Sequence, residues 1–221
     1  MDKPQPHPAK YSDPFLPIFA SILENRKLVF DPMAGTGKLA LIKDYGFTGQ
    51  VYCNEIEPEW INREYRVDQW FNTDATDLSF IKSDTFDAIC TSPTYGNRMA
   101  DGFNAKSKYK RISYSEYLSR TLHKSNTGQM QWGSNYRQTH TLIYAECARV
   151  LALYGLFVLN ISDHIRKYQI IPVADWHKNL LLSFGFLCLN DQPITTHRMR
   201  YGRNSELRIA TERIITFIRY K

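Results

Sequence analysis

Five consecutive residues near the middle of the chain have types and spacing that could do chemistry: Ser92, Pro93, Thr94, Tyr95 and Gly96. They follow the apolar, β-prone run 86–91 (FDAICT). A run that ends abruptly in a small polar residue, a proline and an aromatic is how a buried parallel strand delivers side chains to its carboxyl edge. A hydroxyl from Ser92, the carbonyl of Pro93 and the ring of Tyr95 on one rigid corner suit a flat, amine-bearing ring. They offer two acceptors for the amine and one aromatic face for stacking.

Three carboxylates form the second pattern. Asp31 ends the short apolar run 27–31 (KLVFD), Glu55 ends the run 51–55, and Asp74 sits in the polar loop 72–77. In an open parallel sheet, positions at strand carboxyl ends face one crevice. Gly35 and Gly37, in the turn 32–37, let the backbone approach a ligand, and Glu55 is placed to take both hydroxyls of a ribose. Glycines with an acid downstream equally fit a nicotinamide cofactor. Two details shift the reading: Asp31 beside the glycine turn suits a cationic amino group better than a pyrophosphate, and Asp74 can accept from an adenine amine. Adenosine carrying a cationic amino acid is S-adenosylmethionine. A Walker phosphate loop is excluded, since Lys38 is followed by Leu39 and Pro32 stands where its first glycine would be.

The elements that must position these residues alternate. Asp13-Pro14 opens an amphipathic helix through Phe15, Ile18, Phe19, Ile22 and Leu23. Helical patterns are predicted over 39–45, from Pro58, over 141–153 and over 173–184, and further strands over 156–161, 185–189 and 214–219. This rhythm predicts an α/β fold with a parallel sheet, as one domain over 1–221. It breaks over 97–139, which offers only a short helical candidate at 113–122. That segment holds eight basic residues and two acids, an excess equal to the chain's whole +6, with Phe103, Tyr109, Tyr114, Tyr117, Trp132 and Tyr136 interleaved. It reads as an inserted target-binding segment in which Arg98, Lys106, Lys108, Lys110, Arg111 and Arg137 grip phosphates and aromatics fill the gap left by a displaced base. Arg200 and Arg203, in a second basic run 198–208, are further candidate phosphate contacts.

Composition sets the remaining bounds. The four cysteines form no CxxC pair and three lie in apolar runs, so they are expected as reduced core residues. The histidines show no ligand spacing, so no metal is expected. The N-terminal stretch MDKPQPHPAK has no apolar core, and no run is long enough to span a bilayer. The expectation is an intracellular, cytoplasmic protein, a monomer or weak dimer, without a membrane partner.

These motifs carry a resemblance. DPMAGTG resembles the first motif of class I S-adenosylmethionine-dependent methyltransferases, and TSPTY resembles the (Asp/Asn/Ser)-Pro-Pro-Tyr motif of those that methylate exocyclic amines of nucleic-acid bases. HPAKYSDPF resembles an N-terminal motif that many amino-methylating DNA methyltransferases fold over the methionine end of the cofactor. The resemblance implies a doubly wound, mostly parallel seven-stranded sheet, Rossmann-like, with an inserted basic loop or helical lobe. It also implies cofactor contacts from His7, Pro8, Ala9, Met33, Ala34, Ile56 and Ala75 beside Asp31, Gly35, Gly37, Glu55 and Asp74, and catalysis by Ser92, Pro93 and Tyr95. The implied activity is methylation of cytosine N4 or adenine N6 in DNA, of the kind found in restriction-modification systems, with the protein at the nucleoid. Two alternatives remain open: an RNA base amine methyltransferase, or a nucleic-acid-binding protein impaired at Thr94, where the motif has a second proline.

Overall fold

The computed structural model describes residues 12–61, 63–96, 118–196 and 209–221. Among them the strands are β1 (Leu28–Asp31), β2 (Gln50–Asn54), β3 (Gln69–Phe71), β4 (Phe86–Thr91), β5 (Leu151–Ile161), β6 (His164–Arg166), β7 (Gln169–Ile171), β8 (Phe186–Thr195) and β9 (Thr211–Arg219). Seven of them form one sheet in the order β3-β2-β1-β4-β5-β9-β8, and β6 and β7 pair as a separate antiparallel hairpin. Strands β3 to β5 run parallel, while β9 runs antiparallel to both β5 and β8. This is the mostly parallel, seven-stranded, Rossmann-like sheet that the resemblance implies.

Alternation along the central strands divides the core. Val29, Ala88, Cys90 and Val158 face the helix Phe15–Leu23 and the segment Lys38–Tyr45, whereas Phe30, Ile89, Phe157 and Leu159 face the other layer, formed with the helices Ser134–Val150 and Val173–Ser183. Each fully buried Leu or Phe contributes about 1.5–3 kcal/mol relative to exposure. The cysteines are free; Cys53, Cys90 and Cys147 are buried and Cys188 half-buried. No helix among the described residues is long and apolar enough to cross a membrane.

Several elements differ from expectation. Residues 38–45 form a 3-10 helix between two left-handed glycines, Gly37 (φ 75°) and Gly46 (φ 96°). With eight residues between those stops, the stretch buries Leu39 and Ile42, three apart, which is the 3-10 repeat. The helix expected from Pro58 is a single 3-10 turn, Pro58–Trp60, after which Ile61 is extended. The helix expected over 141–153 begins seven residues earlier, at Ser134, and ends at Val150. Residues 134–139, expected within the inserted segment, form the first turns of this helix, and of them Tyr136 is buried. Strand β5 starts directly after that helix; Tyr154 (φ 62°) and Gly155 mark a bulge in it, where Phe86 pairs with Leu151 but Ala88 with Leu156. Strands β8 and β9 are longer than expected, and β8 tolerates Pro193 because it is an edge. Of the helical candidate 113–122, the first five residues lie outside the described residues; Leu118 is helical and Ser119 already has φ 52°.

Candidate functional site: the crevice at the carboxyl edge of β1, β2 and β4

Chain order reverses between β1 and β4, so their carboxyl ends border the crevice in which open α/β sheets bind ligands. The two motifs meet there. Thr91 Oγ1 donates to Asp31 Oδ1 at 2.8 Å, and the same oxygen accepts from Met33 N at 3.1 Å. Asp31 has no exposed surface, so in this arrangement it ties the glycine turn to the end of β4 and contributes its charge from within the protein.

Glu55 closes the turn from the β2 side. Its Oε2 accepts from Gly35 N at 2.8 Å and its Oε1 from Glu57 N at 2.9 Å, leaving each oxygen capacity for a further donor. Burial pushes its pKa up to about 8 against the pull of those two N–H groups, with the charges of Glu57 and Asp31 adding to the rise. Gly35 (φ 55°) and Gly37 both need the left-handed region, and at Gly37 a Cβ would also lie 2.6 Å from the Trp70 ring. Asn54, which sequence reasoning missed, joins the units: its Nδ2 donates to the carbonyls of Pro32 and Thr73, both at 3.1 Å, and its Oδ1 accepts from Thr73 N and Oγ1. Asp74 Oδ1 accepts from Thr76 N (3.0 Å) and Thr76 Oγ1 (2.8 Å). Burial alone would raise its pKa, but hydrogen bonds from Ser125 and Thr76 outweigh that and hold it below the usual carboxylate value. Met33 and Ile56 are half-buried, Ala34 and Ala75 buried.

Glu57 serves a different end. Almost fully buried, it accepts from His123 N (2.8 Å), Asn126 Nδ2 (2.9 Å) and Arg120 Nη2 (2.6 Å), while Arg120 also reaches both oxygens of Glu59. The described end of the inserted segment is thus tied to Glu57 and Glu59 beside the crevice, and Arg120, counted above with its basic residues, is engaged in ion pairs.

From there this strap passes to the corner formed by residues 92–96, where two backbone carbonyls are taken by different elements. Thr94 O accepts from the Tyr136 hydroxyl and Gly96 O from Trp132 N at 2.9 Å. Thr94 Oγ1 donates to Thr127 Oγ1 at 2.9 Å. Among the described residues nothing donates to Pro93 O, and Ser92 Oγ has only the Tyr95 hydroxyl, at 3.4 Å. Tyr95 Oη in turn donates to Glu212 Oε2 (3.3 Å), which also accepts from Asn160 Nδ2 (3.1 Å).

Beneath Thr94 lies a buried chain of neutral groups. Since the Tyr136 hydroxyl donates to Thr94 O, its oxygen must accept from His177 Nε2 (2.8 Å); His177 Nδ1 is then bare and accepts from the Tyr144 hydroxyl (2.7 Å). Burial, with a smaller contribution from His140, keeps His177 well below the usual imidazole pKa, as a neutral ring requires. His140 Nδ1 donates to Tyr136 O at 2.9 Å, and burial brings that ring's pKa down to about 4. Tyr136, expected among the base-filling aromatics, is fully buried beneath the corner. Trp132 is half-buried edge-on to Trp176, with the exposed Arg137 guanidinium 5.8 Å over its ring. In the sequence, an aromatic and a histidine at helical spacing, Tyr136 and His140, were the available signal for this chain.

His7, Pro8, Ala9, Arg98, Lys106, Lys108, Lys110, Arg111, Arg200 and Arg203 lie outside the described residues. Among the described residues no cluster of His, Cys, Asp or Glu could hold a metal ion.

No protein-family model matches the sequence, and no curated protein does. Solved structures are similar in fold. A methyltransferase from Pyrococcus furiosus matches with TM-score 0.57 and 13% identity over 93% of this chain and 83% of its own. The Burkholderia thailandensis 1,6-didemethyltoxoflavin-N1-methyltransferase, solved with S-adenosylhomocysteine, matches with TM-score 0.56 and 12% identity over 95% and 78%. The [4+2]-cyclase SpnF matches with TM-score 0.54 and 14% identity over 92% and 80%. A cyclase among the similar structures means that the activity must be argued from the site rather than from the fold.

Proposed function

We propose that the protein transfers a methyl group from S-adenosylmethionine to the exocyclic amine of a base turned out of duplex DNA, cytosine N4 or adenine N6. The observation that carries this reading is the selective bonding of the corner. The carbonyls of Thr94 and Gly96 are fixed from below and beside, while Ser92 Oγ and Pro93 O remain as acceptors beside the tyrosine ring.

The residues present fit the cofactor. Glu55 keeps acceptor capacity for the ribose hydroxyls, Asp74 for the adenine amine, and the buried charge of Asp31 favours a cationic group in the crevice. When bound, S-adenosylmethionine supplies a methyl group on positively charged sulfur. The amine of a base is a poor nucleophile because its lone pair is conjugated into the ring. Ser92 Oγ and Pro93 O accept its two N–H bonds and turn the lone pair out of the ring plane, and Tyr95 stacks on the base, so positioning supplies most of the rate. The proton that the amine releases has a path over Ser92 Oγ and Tyr95 Oη to Glu212. Thr94 is accommodated: its hydroxyl makes a bond to Thr127 that proline could not make, which favours an intact corner over an impaired one.

The test is mass spectrometry of DNA from cells expressing the protein or its Ser92→Ala variant, together with methyl transfer to duplex DNA and to RNA in vitro. Extra methylcytosine or methyladenine is expected with the native protein, and a roughly hundredfold slower transfer with unchanged S-adenosylmethionine affinity in the variant. Methylated RNA with unmodified DNA would transfer the reading to RNA; no transfer to either would end it.

A further inference from the structure

The residues between β5 and the helix Val173–Ser183 were unassigned in the sequence reading, and they form the β6–β7 hairpin. Its root is fastened to the site. Arg166 donates to Gln131 Oε1 at 3.1 Å and Trp132 O at 3.4 Å, beside the bond from Trp132 N to the Gly96 carbonyl. On the far side, Asp163 Oδ1 accepts from Ala174 N at 2.8 Å. Because β5 runs parallel to β4, the hairpin leaves the sheet at the same carboxyl edge as Ser92.

Its tip has no structural use that the fold reveals. Residues 166–170 (RKYQI) are all exposed, and Tyr168, at 65%, is the most exposed large aromatic among the described residues; Ile170 is 63% exposed. Lys167 (φ 49°) and Tyr168 (φ 63°) both occupy the left-handed region, which the tight turn demands and which Gly or Asn would fill more easily. A two-stranded hairpin with three residues per strand has little stability of its own. The stretch 164–171 contains two cations and no acid. Tyr154 and Tyr220, also exposed, lie at the opposite edge, at the start of β5 and the end of β9. Of the aromatics in segment 97–139, Trp132 and Tyr136 are packed inward and Phe103, Tyr109, Tyr114 and Tyr117 lie outside the described residues, which leaves Tyr168 as an exposed aromatic at this edge among the described residues.

We propose that the β6–β7 hairpin is a DNA contact of this crevice, with Tyr168 stacking in the duplex gap left by the displaced base and Lys167 meeting a backbone phosphate. The inference rests on the base-methylation reading. Stacking on an aromatic tolerates any neighbouring base, and a cation at the tip adds a salt-dependent contact.

The experiment compares the full-length protein with its Tyr168→Ala, Tyr168→Phe and Lys167→Ala variants, measuring fluorescence anisotropy on mixed-sequence duplex DNA across a salt series and S-adenosylmethionine affinity by calorimetry. Tyr168→Ala should weaken duplex binding about tenfold or more, Tyr168→Phe should retain it, and Lys167→Ala should lower the slope of log K against log salt by about 0.9, all with unchanged cofactor affinity. Native protein that binds duplex DNA, with all three variants binding equally well, overturns the hairpin assignment and leaves the methylation reading standing. Native protein that binds S-adenosylmethionine but neither DNA nor RNA overturns both.

Discussion

On the β2 side of the crevice the fixed groups are acids: Glu57 is paired with Arg120, Asp74 is held below the usual carboxylate value, and Glu55 keeps its proton up to about 8. Glu55, Glu57 and Asp74 are satisfied by backbone N–H groups, small polar side chains and one arginine. On the β4 side they are neutral: Tyr144, His177 and Tyr136 pass hydrogen bonds in one direction to Thr94 O. The difference suits the work proposed for each side. A site for a cationic, hydroxyl-bearing ligand needs acceptors that keep their lone pairs, whereas a corner that must hold two acceptors still needs rigid support, which uncharged groups supply beneath Thr94.

The largest expected effect comes from cutting the neutral chain. His177→Leu keeps volume but removes the partner of Tyr144 and one partner of Tyr136, and should cost about 3 kcal/mol of stability. Chemical denaturation measures it, and methyl transfer should fall further than cofactor affinity does. Equal losses in both would mean that the chain supports the whole fold rather than the corner.

Cutting the acidic side should do the reverse. Glu57→Ala strands three donors, but Arg120 is 37% exposed and keeps Glu59, so the expected cost is about 2 kcal/mol, after discounting for solvent screening. Because the strap then loses its anchor beside Asp74, S-adenosylmethionine affinity should weaken more than the turnover of bound complex. Calorimetry and single-turnover kinetics separate the two.

The two sides also answer pH in opposite directions. Glu55 in the folded protein keeps its proton up to about 8, against an ordinary value of 4.5, so the folded state binds the extra proton between those values and stability is lost as pH rises through that window. His140, held near 4, and His177, held lower still, stay neutral when folded but gain protons when unfolded below 6.5, so their contribution is lost as pH falls below 6.5. Between pH 6.5 and 7.5 the Glu55 contribution should lower stability by about 1 kcal/mol, and Glu55→Gln should abolish that decline while leaving the acid limb unchanged. Melting temperatures at the two pH values check it; identical slopes in variant and native protein would refute the assignment.

How much of this was legible in the sequence differs between the same two regions. The acidic side could be read because carboxylates and glycines at strand ends have few other uses, and Asp31, Gly35 and Glu55 do converge at one edge. What could not be read was how far each acid is already engaged. Glu57 looks like Glu55 in the sequence, yet it anchors the strap. The neutral side was nearly invisible: Tyr136 lies among lysines and arginines, and its partner His177 is forty-one positions away on another helix, joined to it only by the folded sheet. Short elements were lost for lack of period. β3 has three residues, and the hairpin strands have three each, too few for alternation to register.

Thr94→Pro is the smallest effect and the one that tests the corner's departure from the related motif. The substitution removes the bond from Thr94 Oγ1 to Thr127 Oγ1, a loss of about 1 kcal/mol, while a proline that fits restricts the unfolded chain by about 0.4–1 kcal/mol in the opposite direction. No backbone partner for Thr94 N is found among the described residues, so nothing further is lost by removing its hydrogen. The carbonyl that accepts from Tyr136 is untouched. Stability should therefore stay within about 1 kcal/mol of native and methyl transfer within a few fold, both read on one purified protein. If transfer collapses while the melting temperature holds, the hydroxyl of Thr94, rather than the rigidity of the bend, sets the geometry of Ser92 and Pro93, and the two-sided division of the crevice would have to include Thr127 as a third support.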